Sequence, residues 1–215
     1  MTVYSVAKQY AWEGPLSERV VQVCRMFGLT IDRLRDRAPV HKCRVDIRPG
    51  DIVYITGPSG SGKSVLLREL ERCVPVHEAV NLARMDLPDD KTVVDCLDGD
   101  LVTSLRTLSA VGLSDVFSML NRPCHLSDGQ KHRFRLARAL ATGRPIVFAD
   151  EFCTGLDRIT ASTVAFNIHR FARRNKTTLL LASSRDDILI DLAPDVLIAK
   201  DSLGPAEVIY GERIR

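Results

Sequence analysis

The sequence contains no long hydrophobic run. Within its 215 residues, no apolar stretch approaches the roughly 18 residues that a membrane-spanning helix needs. The first ten residues also lack the basic region followed by an apolar region that is typical of a signal peptide. We therefore expect a cytoplasmic protein with no direct membrane insertion.

Paired cysteines are missing as well. The sequence has six cysteines, and no two of them form a C-x-x-C pair: Cys24, Cys43, Cys73, Cys96, Cys124 and Cys153. This scatter favours reduced, largely buried thiols over a disulfide framework. The neighbours Cys124 and His125 have no second pair at ligand spacing, so a structural zinc site is not expected.

A strong excess of one charge is also missing. Lys and Arg number 30 and Asp and Glu number 27, so the net charge is +3. This balance creates no strong basic field and leaves a nucleic-acid partner undecided. The hydrophobic share of 45% is ordinary for a folded protein, and we expect one domain over residues 1–215.

Apolar runs that alternate with helical patterns organise the chain. Nearly continuous apolar runs at 52–56, 146–149 and 177–182 predict strands that are buried on both faces. Helical spacing follows the first run from Ser64 onward, and it recurs at 160–174 between the second and third runs. This alternation predicts an α/β fold with a mostly parallel central sheet.

Weaker patterns complete the layout. Alternating apolar residues from Cys43 to Ile47 predict an N-terminal antiparallel β part, whereas the first twenty residues show no pattern that predicts an element. Helical patterns predict a short helical subdomain at 95–141, between core parts at about 20–94 and 142–210. The core is expected to end in a hairpin at 195–210 around a turn at 201–205.

A glycine-rich loop follows the first buried strand and precedes a helix. It fits the pattern G-x-x-x-x-G-K-[ST] and consists of Gly57, Pro58, Ser59, Gly60, Ser61, Gly62, Lys63 and Ser64, followed by Val65. Glycines let the backbone N–H groups curl around an anion, and the helix start adds its positive end. We expect Lys63 to reach the β- and γ-phosphates and Ser64 to ligate Mg²⁺. The flanking strand and helix favour this interpretation over a plain Gly/Ser-rich turn.

Two acids follow the second buried strand. Asp150 and Glu151 come directly after the apolar run at 146–149, at the strand end where sites of parallel sheets form. We expect Asp150 to hold Mg²⁺ and Glu151 to deprotonate the attacking water. An acidic pair alone is more often a helix cap or a solvated turn, and only the phosphate loop favours catalysis. Together these motifs predict a nucleoside triphosphatase.

A third motif precedes the acidic pair. The segment Leu126-Ser127-Asp128-Gly129-Gln130 closely resembles the L-S-G-G-Q signature of ABC-class ATPases, with Asp128 in place of the first glycine. Thr154-Gly155-Leu156-Asp157 resembles the D-loop of that family. The resemblance covers about residues 20–210 and is strongest for soluble prokaryotic ABC ATPases whose relatives can be joined to an acetyltransferase-like domain.

This resemblance implies an ATP-binding domain of the P-loop class with a RecA-like core. In that family the signature of one subunit completes the ATP site of the other, so Ser127, Gly129 and Gln130 are expected to bind the partner's nucleotide in a homodimer. Phe27, in a segment that resembles the A-loop, is expected to stack on adenine, although a core phenylalanine is the alternative. The preference for ATP over GTP rests on the resemblance alone.

Two departures from the family pattern affect the function. The glutamines of the sequence are Gln9, Gln22 and Gln130, so the Q-loop glutamine is missing, and Asn81 is the nearest amide. The switch histidine is also missing: Arg185 occupies its place, or Ser184 if the register differs by one. Arg185 would touch the γ-phosphate as a fixed charge but cannot relay a proton. We therefore expect slow hydrolysis.

Three functions remain open on these grounds. The first is a Mg²⁺-dependent ATPase that dimerises on ATP. The second is the nucleotide-binding subunit of a membrane transporter, which the missing Q-loop glutamine disfavours. The third is a nearly inactive regulatory module whose ATP-bound dimer is recognised by an unknown protein or nucleic acid.

Overall fold

Strands and helices alternate along the segments that the computed structural model describes, residues 2–9, 12–36, 40–201 and 205–211. The strands are β1 (Thr2–Gln9), β2 (Val40–Ile47), β3 (Ile52–Thr56), β4 (Ala79–Asn81), β5 (Ile146–Ala149), β6 (Thr178–Ala182), β7 (Val196–Ala199) and β8 (Glu207–Tyr210). The α-helices are α1 (Glu18–Met26), α2 (Ile31–Asp36), α3 (Lys63–Arg72), α4 (Leu101–Ala110), α5 (Val116–Leu120), α6 (Asp128–Ala141), α7 (Arg158–Asn175) and α8 (Leu189–Leu192). Short 3-10 helices cover Leu82–Arg84, Val94–Cys96 and Pro123–His125.

The central sheet has the strand order β4-β5-β6-β3-β7-β8. Its neighbouring strands are parallel except β7 and β8, which form the predicted hairpin; residues 202–204 of the predicted turn lie outside the described segments. Ile52, Val53, Tyr54 and Ile55 of β3 are fully buried, because β6 and β7 flank the strand and helices cover both faces. The predicted α/β fold with a mostly parallel sheet is confirmed.

The N-terminal segment adds a second, two-stranded sheet. β1 and β2 pair antiparallel from Thr2 opposite Ile47 to Gln9 opposite Val40, so the predicted antiparallel part is confirmed. Val6 of β1 is buried in the same hydrophobic cluster as Leu66 and Leu70 of α3. The sequence showed no pattern in the first twenty residues that predicts an element, yet β1 forms there, with inward positions that alternate with exposed ones.

The region from 95 to 141 is helical, as expected. Aspartate and serine side chains cap its three α-helices: Asp100 caps α4, Asp115 caps α5 and Ser127 caps α6. The buried Leu108 and Phe134 of these helices belong to the same hydrophobic cluster as Val147 of the sheet. The proposed division into a core and a helical subdomain stays a prediction. Among the helices of the described segments, none combines the length and apolar composition that crossing a bilayer requires.

Asp195 joins three elements at the amino end of β3. Its Oδ2 atom accepts a hydrogen bond from the Ile52 N–H at 2.7 Å, and its Oδ1 atom pairs with Nη2 of Arg173 at 2.9 Å. Its own N–H donates to the Ile52 carbonyl oxygen at 2.9 Å. Asp195 therefore connects β3 to the start of β7 and to α7.

We expect Asp195→Ala to lower the free energy of unfolding by about 2–3 kcal/mol, because the buried Ile52 N–H loses its charged acceptor. Asp98→Ala, at an exposed aspartate, is the control and should change stability by about 0.5 kcal/mol or less. Urea unfolding of both variants measures the difference. Equal losses would contradict the role given to Asp195.

Candidate functional site

The glycine-rich loop connects the carboxyl end of β3 to the start of α3. Its three glycines all have positive φ angles, 145° at Gly57, 80° at Gly60 and 96° at Gly62. L-amino acids with a side chain rarely adopt such angles. The curled backbone of the loop therefore depends on glycine at these positions.

Close packing behind the loop excludes a side chain at two of these glycines. A Cβ atom at Gly57 would lie 2.0 Å from the carbonyl oxygen of Lys200, and one at Gly62 would lie 2.1 Å from Cε1 of His41. The N–H of Lys200 donates to the Thr56 carbonyl oxygen at 2.8 Å. The residue that follows β7 and an imidazole of β2 therefore form the floor of the loop.

The two floor residues are basic but buried, with exposed fractions of 5% for His41 and 2% for Lys200. Burial lowers the pKa of His41, and the nearby Lys200 lowers it further. Burial also lowers the pKa of Lys200. The neutral imidazole is therefore favoured. Sequence reasoning missed both residues, because no local pattern links positions so far apart in the chain.

α3 begins without a side-chain cap, at Gly62. Six other α-helices have one, supplied by Ser17, Thr30, Asp100, Asp115, Ser127 and Asp157. The first hydrogen bond of α3 runs from Leu66 N–H to the Gly62 carbonyl oxygen at 3.0 Å. The N–H groups of Lys63, Ser64 and Val65 therefore have no acceptor within the helix, and this helix start suits an anion.

The side chains of the loop complete a phosphate cradle. Nζ of Lys63 donates to the carbonyl oxygens of Gly57 at 2.7 Å and Pro58 at 2.8 Å, so its ammonium lies against the loop. The Ser61 hydroxyl is fully buried and has no hydrogen-bond partner among the described residues. A triphosphate could accept hydrogen bonds from the open N–H groups of α3, from the Lys63 ammonium and from the Ser61 hydroxyl. Ser64, in the first turn, can offer its hydroxyl to Mg²⁺.

The acidic pair lies at the same edge of the sheet as the phosphate loop. β5 leads to the pair and is separated from β3 only by β6, and all three strands are parallel. Asp150 is partly buried, whereas Glu151 is exposed and has a left-handed backbone with φ of 55°. The Glu151 N–H donates to Oδ1 of Asp150 at 3.0 Å. The fold thus brings Asp150 and Glu151 to the edge of the sheet where the phosphate loop lies, and their expected roles as metal ligand and base stay predictions.

The Ser64 hydroxyl and the Asp150 carboxylate are oxygen groups of the kind that Mg²⁺ prefers. Across the described segments, no cluster of three or more His, Cys, Asp or Glu side chains is arranged to hold a metal ion. Mg²⁺ commonly binds through one or two protein ligands together with phosphates and water. Ser64 and Asp150 are therefore a sufficient protein contribution.

The signature segment forms the start of α6. Ser127, Asp128 and Gly129 are exposed, and a Cβ atom at Gly129 would meet nothing within 4 Å. The Ser127 hydroxyl accepts the N–H of Gln130 at 3.3 Å. The N–H groups of Asp128 and Gly129 therefore remain open at a second helix start.

Gln130 holds this helix start in place. Its Oε1 atom accepts the Ser127 N–H at 2.9 Å, and its Nε2 atom donates to the Ser118 hydroxyl at 2.9 Å. The carboxylate of Asp128 stabilises the positive helix end, and it opposes the approach of another anion. The amide of Gln130 is thus used within its own chain, and its expected contact with nucleotide stays a prediction.

Arg185 is bound to the D-loop and to a carboxylate. Its Nη1 atom donates to the carbonyl oxygens of Cys153, at 3.2 Å, and Leu156. Its Nε and Nη2 atoms bind the Asp187 carboxylate at 2.9 and 2.7 Å, which raises the pKa of Arg185. A contact with a γ-phosphate would require Arg185 to leave these partners. Ser184, the alternative at this position, is exposed.

Phe27 and Asn81 differ in how well they fit their expected roles. Phe27 caps the carboxyl end of α1 and is 74% exposed, so the alternative of a core phenylalanine is wrong, and stacking on adenine stays a prediction. Asn81 ends β4 beside Phe148. Its Nδ2 atom donates to Glu71 at 2.8 Å and its Oδ1 atom accepts the Ala83 N–H at 2.9 Å. Both polar atoms of the Asn81 amide therefore have hydrogen-bond partners within the protein.

His132 is a further polar residue near the acidic pair. It lies on α6, and its buried Nε2 atom has no hydrogen-bond partner among the described residues. Burial lowers the pKa of His132, while the negative charges of Glu151 and Asp150 oppose that shift. The sequence shows that His132 lies two residues after Gln130, but no sequence pattern connects His132 to Asp150 and Glu151.

Curated relatives of the chain are ATP-binding proteins of transport systems. The aliphatic sulfonates import ATP-binding protein SsuB 1 of Paracoccus denitrificans is 30% identical over 201 residues, which cover 86% of this chain and 79% of that protein. The lipoprotein-releasing system ATP-binding protein LolD of Novosphingobium aromaticivorans is 28% identical over 200 residues, which cover 76% and 86%. No protein-family model matches the chain.

The fold is also similar to that of a solved ATP-binding cassette. A dimeric structure of a post-hydrolysis state of the cassette MJ0796, bound to ADP and Pi, superposes with a TM-score of 0.67 at 18% sequence identity. The match covers 97% of this chain and 98% of that one. This likeness shows a shared fold.

We expect Gly62→Ala to abolish ATP binding, because its Cβ atom would collide with the His41 ring and displace the loop. Gly60→Ala is the matched control, since Gly60 also has a positive φ but has open space around it. The control should lose about 1 kcal/mol of stability from backbone strain and should still bind ATP. Titration with a fluorescent ATP analogue and urea unfolding compare the two. Equal ATP affinity in both variants would contradict the role of the His41 floor.

Proposed function

Because the chain belongs to the ATP-binding cassette family and is a P-loop enzyme that hydrolyses ATP, we propose that two copies of it bind ATP and Mg²⁺ between them. The observation that carries this proposal is the presence of two open helix starts on one chain. The start of α3 has the Lys63 cradle, whereas the start of α6 is exposed, with open N–H groups at Asp128 and Gly129. In the proposed dimer, the α6 start of one copy contacts the ATP that is bound at the α3 start of the other copy.

The described side chains divide the work of hydrolysis. Lys63 and the N–H groups of the first turn of α3 hold the β- and γ-phosphates. Ser64 and Asp150 would hold Mg²⁺, which would supply positive charge against the phosphate oxygens. Glu151 accepts a proton from the water that attacks the γ-phosphorus, and ADP leaves with the electron pair of the broken bond. The Glu151 side chain is exposed, so water can reach its carboxylate.

A second candidate function is that of the nucleotide-binding subunit of a membrane transporter. It is favoured by the relatives, whose names assign them to sulfonate import and lipoprotein release. A cavity of about 580 Å³ beside Asn81, lined also by Glu71, Arg84 and Met85, offers a place for a segment of a membrane partner. This candidate predicts that the chain copurifies with a permease from solubilised membranes. A chain that stays in the soluble fraction and hydrolyses ATP alone favours the autonomous dimer.

We expect two inactive variants to restore turnover when they are mixed. Lys63→Ala disables the cradle, and Gly129→Asp puts a carboxylate against the partner's phosphate at a position where the folded chain has room. In the mixed dimer, one site combines an intact Lys63 with an intact Gly129. Equal mixing should therefore restore about a quarter of wild-type turnover, because half of the dimers are mixed and each has one intact site.

The control for this mixture is each variant alone at the same total concentration. Wild-type turnover per chain should also rise with protein concentration. The shared site would be contradicted if the mixture restored no turnover and if wild-type turnover per chain stayed constant at every dilution. If the wild type shows no turnover beyond a Glu151→Gln variant, a regulatory ATP-binding module is favoured instead.

We expect Arg185→Ala to reduce turnover about tenfold while ATP and ADP affinities stay within about twofold, because Arg185 holds the D-loop rather than the nucleotide. Arg48→Ala, at an exposed arginine before β3, is the charge-matched control. Equilibrium titration with each nucleotide measures the affinities. Weaker ATP binding with unchanged ADP binding would show instead that Arg185 touches the γ-phosphate.

A further inference from the structure

A large cavity lies away from the phosphate loop, between α4 and the second half of α7. Its volume is about 900 Å³, which is within the range of sites for small organic ligands. It is bordered by Thr103 and Arg106 of α4 and by Asn167, Arg170 and Arg174 of α7. We call it the α4–α7 groove.

The groove is strongly cationic. Four arginines and a histidine line it: Arg106, Arg170, Arg173, Arg174 and His169. None of its lining residues is acidic, and between Arg158 and Asn175 the sequence of α7 contains no Asp or Glu. Such a concentration is unexpected in a chain whose net charge is only +3.

Several of these cations have no anionic partner in the protein. The side chains of Arg106, Arg170 and Arg174 form no hydrogen bond and no ion pair with another described residue. Cζ of Arg170 lies 5.8 Å from the centroid of the Phe166 ring. Arg173 is the exception, since it pairs with Asp195. The groove thus keeps three guanidinium groups available for a ligand.

The helix dipole explains only part of this arrangement. Arg173 and Arg174 lie in the last turn of α7, where cations stabilise the negative helix end. Arg170 precedes that turn, and Arg106 belongs to a different helix. Cations from two helices therefore line the same concavity.

The groove is separate from the nucleotide site. Arg173 reaches the carbonyl oxygen of Gly50 at 3.4 Å, in the turn before β3, whereas the phosphate loop follows the other end of that strand. A five-residue strand such as β3 spans about 15 Å. ATP in the Lys63 cradle therefore does not occupy the groove.

We propose that the α4–α7 groove binds a small molecule that carries at least two phosphate groups. The planar guanidinium groups of Arg106, Arg170 and Arg174 match phosphate oxygens in bidentate geometry. His169 adds a polar edge, since its Nδ1 atom is bonded to the Leu192 carbonyl oxygen at 2.8 Å and its Nε2 atom makes no further protein hydrogen bond within the described segments. A nucleic acid is less suited, because the cations converge on one concavity instead of forming a stripe.

The experiment is calorimetric titration with inorganic triphosphate and with ADP, in the full chain carrying Lys63→Ala so that the cradle does not contribute. We expect one triphosphate site per chain. Arg106→Ala with Arg170→Ala should weaken it at least tenfold, whereas Arg19→Ala with Arg25→Ala, exposed arginines of α1, should leave it within twofold. Circular dichroism verifies that each variant is folded.

Comparison of the probes identifies the source of the phosphates. Tighter binding of ADP than of triphosphate, with loss in the Arg106/Arg170 variant, indicates a nucleotide ligand, and the reverse order indicates a polyphosphate. No triphosphate binding, or equal loss in the α1 control, overturns the proposal. A single-stranded oligonucleotide that binds more than tenfold tighter than either probe also overturns it, in favour of nucleic acid.

The proposed function is tested separately. In the background with intact Lys63, the Arg106/Arg170 variant should retain basal ATP turnover, because neither arginine belongs to the nucleotide site. If this variant loses triphosphate binding but retains ATP turnover, the result supports the proposed ligand site in the α4–α7 groove, whatever the mechanism of hydrolysis.

Discussion

The unsatisfied N–H groups at the start of α3 are the constraint on which the site depends. Six other α-helices have a serine, threonine or aspartate cap, whereas α3 begins at Gly62 and has none. Leaving donors without acceptors costs free energy unless water or a ligand supplies them. An anion at this helix start both satisfies the donors and gains from the helix dipole. Absence of a protein cap is therefore what keeps this helix start available to ATP.

The rest of the fold supports that open helix start. β3 is buried between parallel neighbours, so its carboxyl end is held firmly where the loop begins. His41 and Lys200 form a floor with no space for a side chain at Gly62 or Gly57, and this close packing fixes the curl of the loop. The parallel order of β3, β6 and β5 then brings Asp150 and Glu151 to the same edge.

Local sequence predicted much of this arrangement, but it did not predict the partners of individual side chains. The buried strands and the Ser127 cap follow from short-range patterns, and the structure contains them. β1 was missed, because its alternation is weak and its pairing with β2 joins residues about forty positions apart. The bonds from Arg185 to the D-loop and from Asn81 to Glu71 were also outside the reach of sequence. These long-range contacts show that both residues have structural partners where the family pattern suggested only ligand contacts.

The sequence by itself determined the class of chemistry, since glycine spacing, the lysine and the acids specify phosphate binding through local backbone geometry and charge. It also predicted the buried strands of the central sheet and the helices between them, because apolar periodicity depends only on neighbouring residues. Tertiary structure alone decided what lies beneath the phosphate loop and which polar groups remain available. It also brought arginines of α4 and α7 to one groove, because burial, charge and hydrogen bonding there depend on residues that meet only when the chain is folded.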